Sequence, residues 1–177
     1  MQRPLRVLRE MEIEGAEVAE EPPSFEELFD SEHARLFGAL CLVTGDRHEA
    51  EEIMQDAFLR LWERWDRIAG LDDPQAYLFR TAMNVFRNRY RRAALALRRT
   101  VSLAPTEDAF ATVEDRDVVV RALRSLTPDQ RAAVVLTSYV GLTSEEAGRA
   151  LGMRAGTVRT LATRARAAIR EKAGELQ

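Results

Sequence analysis

Thr143-Ser144-Glu145-Glu146-Ala147-Gly148-Arg149-Ala150-Leu151-Gly152, followed after two residues by Ala155-Gly156-Thr157-Val158-Arg159-Thr160-Leu161, decides how the chain is read. Thr143 and Glu146 stand at the spacing at which a hydroxyl and a carboxylate satisfy each other's free backbone amides, so a helix starts here. Gly152 can take the positive φ of a helix C-terminus. A second helix then follows at once. Helix, glycine turn, helix is the geometry that inserts a second helix into the major groove of duplex DNA. Thr157 and Thr160 suit approach to base edges and phosphates, and Arg159 and Arg164 can reach guanine edges or phosphates. The same spacing also fits an ordinary helical hairpin in which Gly152 is only a cap.

Working outward, other helix starts are equally legible. Ser24-x-x-Glu27, Asp46-x-x-Glu49 and Thr127-Pro128-Asp129-Gln130 read as further capping boxes, and Asp73-Pro74 as a cap followed by proline at the first helical position. Ala50, Ile53, Met54, Ala57, Phe58, Leu61, Trp62 and Trp65 recur at spacings of three and four, which predicts one apolar stripe along a helix. No stretch alternates as a strand does. The expectation is therefore an all-α protein of two small helical domains, residues 24–95 and 114–174, joined by a linker over 96–113. Residues 1–23, acidic and ending in Pro22-Pro23, read as a flexible tail. That tail is expected to fold back on the basic helices and suppress non-specific DNA binding.

The formal net charge of -3 does not by itself suggest a nucleic-acid partner, but its distribution does. No lysine or arginine occurs between Glu10 and Asp30, whereas Arg80, Arg87, Arg89, Arg91, Arg92, Arg98 and Arg99 share a stretch without a single acid. A second basic stretch runs through Arg154, Arg159, Arg164, Arg166, Arg170 and Lys172. Such clusters are footprints for phosphate, although a solvated helix face gives the same pattern. One cysteine, Cys41, sits among apolar neighbours, so a disulfide framework and a C-x-x-C zinc site are both excluded. With two histidines, His33 and His48, neither beside a nucleophile, and no phosphate-binding glycine loop, an enzyme is not expected, nor any catalytic residue, metal or cofactor. No signal peptide and no membrane-spanning run is read, which points to the cytoplasm.

Arg80-Thr81-Ala82-Met83-Asn84-Val85-Phe86-Arg87-Asn88-Arg89-Tyr90-Arg91-Arg92 mixes cations, amides and aromatics on one helix. That mixture suits single-stranded or melting DNA, since cations hold phosphates and amides read exposed base edges. Phe86 reads better as core than as a stacking platform. The loop from Asp66 to Asp73 either builds a pocket for an unstacked base or is a plain connection.

These motifs together resemble a known family. Gly45-Asp46, then Ala50-Glu51-Glu52-Ile53-Met54-Gln55-Asp56-Ala57-Phe58-Leu59-Arg60-Leu61-Trp62, then Asp73-Pro74, Ala76-Tyr77-Leu78 and Asn84 are similar to region two of the extracytoplasmic-function sigma factors. Leu126-Thr127-Pro128-Asp129-Gln130-Arg131, Gly141-Leu142-Thr143, Leu151-Gly152, Gly156-Thr157-Val158 and Arg164-Ala165-Arg166 are similar to region four. The Arg64-Trp65-Asp66-Arg67-Ile68 stretch and the use of arginine over lysine resemble an actinobacterial branch.

The resemblance implies an alternative sigma factor that binds core RNA polymerase and directs initiation at promoters, under the control of an anti-sigma factor. It implies that Glu52, Gln55, Asp56, Leu59 and Trp62 dock on polymerase. Arg80, Asn84, Arg87, Asn88 and Arg91 are implied to hold the opened minus-ten element, and Arg154, Thr157, Arg159, Thr160 and Arg164 to read the minus-thirty-five element. Three positions depart from the family pattern: Arg154 is a poor N-cap, costing about 1 kcal/mol; Leu161 stands where a phosphate-contacting arginine is common; and Gly148 replaces alanine. The competing reading is a conventional helix-turn-helix regulator that binds duplex operators as a dimer. A protein-interaction bundle would leave both arginine clusters unexplained.

Overall fold

The computed structural model describes residues 23–97 and 114–175. The proposed acidic tail and interdomain linker fall outside these residues, apart from their edges. All regular structure among the described residues is helical: α1 (Phe25–Thr44), α2 (Arg47–Trp62), α3 (Trp65–Ile68), α4 (Pro74–Leu97), α5 (Glu114–Arg124), α6 (Pro128–Ser138), α7 (Ser144–Leu151) and α8 (Ala155–Glu175). No helix among them is long and apolar enough to cross a membrane.

Local capping chemistry explains most of the starts. Ser24 accepts from the Glu27 amide at 3.2 Å while its own amide donates to the Glu27 carboxylate at 2.8 Å. Thr127 with Gln130 and Thr143 with Glu146 form the same reciprocal boxes. At α4 the Ala76 amide donates to the Asp73 carboxylate at 2.8 Å. The Asp46 cap differs from the sequence expectation in being only half a box. Asp46 accepts from the Glu49 amide, but its own amide donates to the Thr44 hydroxyl at 3.1 Å. Thr44, the last residue of α1 and two residues before Asp46, takes the place expected of Glu49.

The apolar stripe of α2 is also shorter than its periodicity predicts. Ala50, Ile53, Ala57, Phe58 and Leu61 are buried, but Met54 is only partly so, Trp62 is exposed and Trp65 belongs to α3. The helix ends at Trp62, with Glu63 as its cap, and the chain turns before Trp65 can continue the same face. The first turn of the stretch read as a loop, Asp66–Asp73, is likewise helical.

Helices α1, α2 and α4 pack around Leu36, Leu40, Ile53, Leu61, Leu78, Phe79 and Met83, all fully buried. Helices α5 to α8 pack around Leu136, Leu151 and Val158. Each is near the size at which a lone core is marginal. They do not stand alone: α1 packs on α6 and α4 on α7, and the buried side chains of both form one connected core.

Candidate nucleic-acid interface

The turn between α7 and α8 depends on two glycines. Gly152 ends α7 at φ 62°, a conformation that costs a side-chain-bearing residue. A Cβ on Gly148 would lie 2.8 Å from the Met153 carbonyl oxygen, so the departure from alanine lets α7 approach the turn closely. The Met153 amide donates to the Gly148 carbonyl at 2.9 Å, and the Arg154 carbonyl receives the Thr157 and Val158 amides that start α8.

On α8, Val158, Ala162 and Ala165 face the core. Arg154, Thr157, Arg159, Thr160 and Arg164 are all exposed. Leu161 is partly buried against the core, so its methyl groups support the helix where the family pattern places a cation. Arg159 is tethered to Glu145 of α7 at 3.3 Å, which aims its guanidinium from the outer face. The exposed ion pair contributes little to stability. Thr160 donates to the Gly156 carbonyl at 3.0 Å.

Arg80, Asn84, Arg87, Asn88 and Arg91 recur at helical spacing and share one side of α4, while Leu78, Phe79, Ala82, Met83, Val85 and Phe86 occupy the other. Phe86 is therefore core, as read. Arg80 lies over the Tyr77 ring, 5.2 Å from its centroid. With Leu71, Asp73, Ala76, Tyr77 and the α7 residue Arg149 it lines a cleft of about 380 Å³. That cleft begins at the end of the Asp66–Asp73 stretch and is roomy enough for a planar base. Further along, Arg91 lines a smaller cleft with Thr127, Pro128 and Asp129 of the other domain. Between the two clefts Arg87 donates to the carbonyl of Leu151, the last residue of α7.

Glu52, Gln55, Asp56, Leu59 and Trp62 also share a face, on α2. Leu59 and Trp62 are 57% and 55% exposed and lie one turn apart, so they form one apolar patch on the surface of α2. Sequence reasoning missed what surrounds them. Arg89 of α4 ion-pairs with both Glu52 and Asp56, the latter at 3.2 Å. The hydrogen bond to Glu52, opposed by partial burial and helped by Asp56, raises the Arg89 guanidinium above its ordinary range. The signal available beforehand was the pair of carboxylates four residues apart on α2, which present two acceptors to one guanidinium. Phe25 packs edge-on to Trp62 with centroids 4.9 Å apart, and Phe29 joins the patch through Phe25 and Phe58. These two aromatics come from α1, and no local spacing linked them to α2.

The histidines have structural partners. His33 stacks on Phe29 at 5.0 Å, and His48 lies 3.6 Å from Glu52. Cys41 is buried, and that burial pushes its thiol up from the ordinary value. Among the described residues no three His, Cys, Asp or Glu side chains are grouped to hold a metal ion.

Comparison with known proteins assigns both halves. Residues 28–109 match the family described as Sigma-70 region 2, and residues 116–169 match Sigma-70, region 4. The RNA polymerase sigma-E factor of Streptomyces avermitilis is 33% identical over 150 residues, covering 84% of each chain. The ECF RNA polymerase sigma factor SigM of Mycobacterium tuberculosis is 32% identical over 176 residues, covering 93% of this chain and 85% of the relative. The sigma factor RpoE from Bartonella quintana, solved in complex with the anti-sigma factor NepR, superposes with a TM-score of 0.71 at 22% identity, covering 85% of this chain and 96% of that one.

Proposed function

The chain belongs to the extracytoplasmic-function sigma factors of the sigma-70 family, and on that premise we propose how its surfaces divide the work of initiation. A sigma factor binds core RNA polymerase and directs it to promoter DNA; it acts by binding and is not an enzyme. The face of α2 bearing Glu52, Gln55, Asp56, Leu59 and Trp62 docks on polymerase, with Arg89 holding the two carboxylates in place. The face of α4 bearing Arg80, Asn84, Arg87, Asn88 and Arg91 receives the opened minus-ten strand. The outer face of α8, with Arg154, Thr157, Arg159, Thr160 and Arg164, enters the major groove at the minus-thirty-five element. Residues 24–95 and 114–174 are the two working domains and 96–113 the linker between them.

The observation that carries this reading is an exposed cationic face on one helix of each matched region, with amides beside the cations on α4 and threonines on α8. A dimeric operator-binding regulator would need only the second of these, and the match of residues 28–109 to sigma region 2 gives the first domain a role in initiation. We place the factor in the cytoplasm, where polymerase and promoter are, and under an antagonist protein such as the anti-sigma factor that accompanies the RpoE of similar fold.

Run-off transcription with purified core polymerase and a promoter library tests the division. The wild-type chain is expected to support promoter-specific initiation. Arg159→Ala, removing one groove contact of about 1–3 kcal/mol, is expected to relax selection at a minus-thirty-five position. Asn84→Ala is expected to impair use of the minus-ten element. Unchanged initiation by both variants would overturn these residue assignments while leaving the family intact.

A further inference from the structure

The aromatic patch where α1 begins is a groove with an acidic rim. Phe25, Phe29 and Trp62 line a cleft of about 460 Å³ together with Glu26 and Asp30. Its lining thus holds two carboxylates and no cation. Phe25 meets Trp62 and Trp65 edge-on, with centroids 4.9 and 5.5 Å apart, and rests on the core beneath. Phe29 and Trp62 keep much of their surface exposed, and Leu59 continues the apolar surface one turn back along α2.

A segment suited to this groove has to bring apolar side chains and positive charge together. Residues 3–9, outside the described residues, do both. Arg3-Pro4-Leu5-Arg6-Val7-Leu8-Arg9 sets Leu5, Val7 and Leu8 among three arginines, and these are the only arginines or lysines before Arg35. The chain that follows is its opposite: Glu10, Glu12, Glu14, Glu17, Glu20 and Glu21 would be repelled by Glu26 and Asp30. A guanidinium is attracted both to carboxylates and to the faces of aromatic rings, tryptophan above all. Exposed ion pairs contribute little singly, so the apolar side chains supply the contact and the arginines select its place.

We propose that residues 3–9 seat on the groove of Phe25, Phe29 and Trp62, with their arginines on Glu26 and Asp30, and so compete with polymerase for the α2 face. Trp62 lies in both surfaces, and only one occupant can cover it at a time. The chain length allows the return. Residues 10–22 separate Arg9 from the first described residue, and the groove begins at Phe25, the first residue of α1. Extended, that connection reaches roughly 45 Å. It also holds the segment near the groove at an effective concentration on the order of 1 mM, so contacts too weak to retain a free peptide suffice to seat it. Polymerase, binding the uncovered state alone, shifts the population toward it.

The competition rests on the assignment of α2 to polymerase, whereas the seat does not, and the test separates the two. In a full-length Trp65→Phe chain Trp62 is the only tryptophan. Quenching of its fluorescence by acrylamide, a neutral probe, reports whether it is covered. Arg3→Glu, Arg6→Glu and Arg9→Glu together are expected to raise the quenching. Leu5→Ser with Leu8→Ser, which leaves the charge unaltered, is expected to do the same. Glu26→Arg with Asp30→Arg should also uncover Trp62, and should cover it again when combined with the three tail reversals, a rescue that a loss of folding would not produce.

Affinity for purified core polymerase should rise about threefold or more in either tail variant, the factor expected when a third or less of the chains have the face uncovered. Circular dichroism should show equal helix content throughout. Equal quenching in the parent chain and both tail variants overturns the proposal. So does a shielding of Trp62 that grows with protein concentration, because a second copy would then be the occupant. The α2 assignment is judged by Leu59→Ala in the Leu5→Ser, Leu8→Ser chain. Unchanged core affinity there removes polymerase from this face and overturns the competition, while the quenching still decides where residues 3–9 lie.

Discussion

Helices α4 and α8 both present arginines for nucleic acid, α4 with amides beside them and α8 with threonines, yet the fold commits those arginines differently. The reading face of α8 looks outward, its arginines exposed and at most tethered to a neighbouring carboxylate. The corresponding face of α4 is exposed at Arg80, Asn84, Asn88 and Arg91, but Arg87 at its middle is half-buried and caps a helix of the other domain. Their arginine content cannot distinguish them. What differs is the acceptor each meets: the Leu151 carbonyl at the end of α7 takes Arg87 of α4, whereas Arg159 of α8 meets the exposed carboxylate of Glu145. An arginine-rich helix is thus available to nucleic acid only as far as the rest of the fold leaves its donors unclaimed.

The comparison would break most visibly if the two domains folded independently. Phe79 is fully buried in the first and Leu151 in the second, and truncation to alanine is expected to cost about 3–5 and 2–5 kcal/mol respectively. Because the core is continuous, each should lower one shared melting transition followed by circular dichroism. Two resolved transitions, with each variant moving only its own, would mean that the domains are merely neighbours.

A smaller effect sharpens the contrast at the helix ends. Gly152→Ala places a Cβ on a left-handed residue at the point where Arg87 approaches, and is expected to cost about 1 kcal/mol in chemical denaturation. Gly45→Ala, with φ 74° and Arg124 overhead, should cost a similar amount. If Gly152→Ala were neutral, the α7 end would not constrain the contact.

The smallest effect lies in two glutamates at equivalent positions of two helix starts. Hydrogen bonds from the Thr143 hydroxyl and amide hold Glu146 below its ordinary value of 4.5. Its contribution to stability is present above that value and fades as the pH falls through the lower folded one. Burial, then the charge of Asp46, raises Glu49 above the same value. Its charged form costs stability at neutral pH, and that cost disappears as the pH falls through the raised folded value toward 4.5. Thermal melts should therefore show Glu49→Gln stabilising at neutral pH and losing its advantage on acidification. A Glu146→Ala variant should be less stable than wild type at neutral pH, with the gap narrowing in acid. Parallel pH profiles for the two variants would contradict the difference between a closed and a half-made capping box.

Much of this was legible beforehand because it is local. A capping box, a proline after an aspartate, or a glycine after an apolar turn acts between residues three or four apart, and the chain fixes that distance once the helix forms. The helical segments and the helix-turn-helix rest on such spacings, whereas the roles of the full candidate sets came from the resemblance to the sigma family. The failures were local too where a neighbour intervened: Thr44 displaced Glu49 at the Asp46 cap, and a helix end at Trp62 cut the apolar stripe short. What no spacing could supply was the fate of particular donors. Arg89 holds carboxylates 33 and 37 residues away, Arg87 caps a helix 64 residues on, and Arg131 reaches back 87 and 88 residues to α1. The sequence by itself determined the helices and the chemistry displayed along each of them. Only the tertiary structure decided which of those groups face solvent and which are already bonded, because a guanidinium goes to whichever acceptor the packing of distant helices brings within about 3 Å.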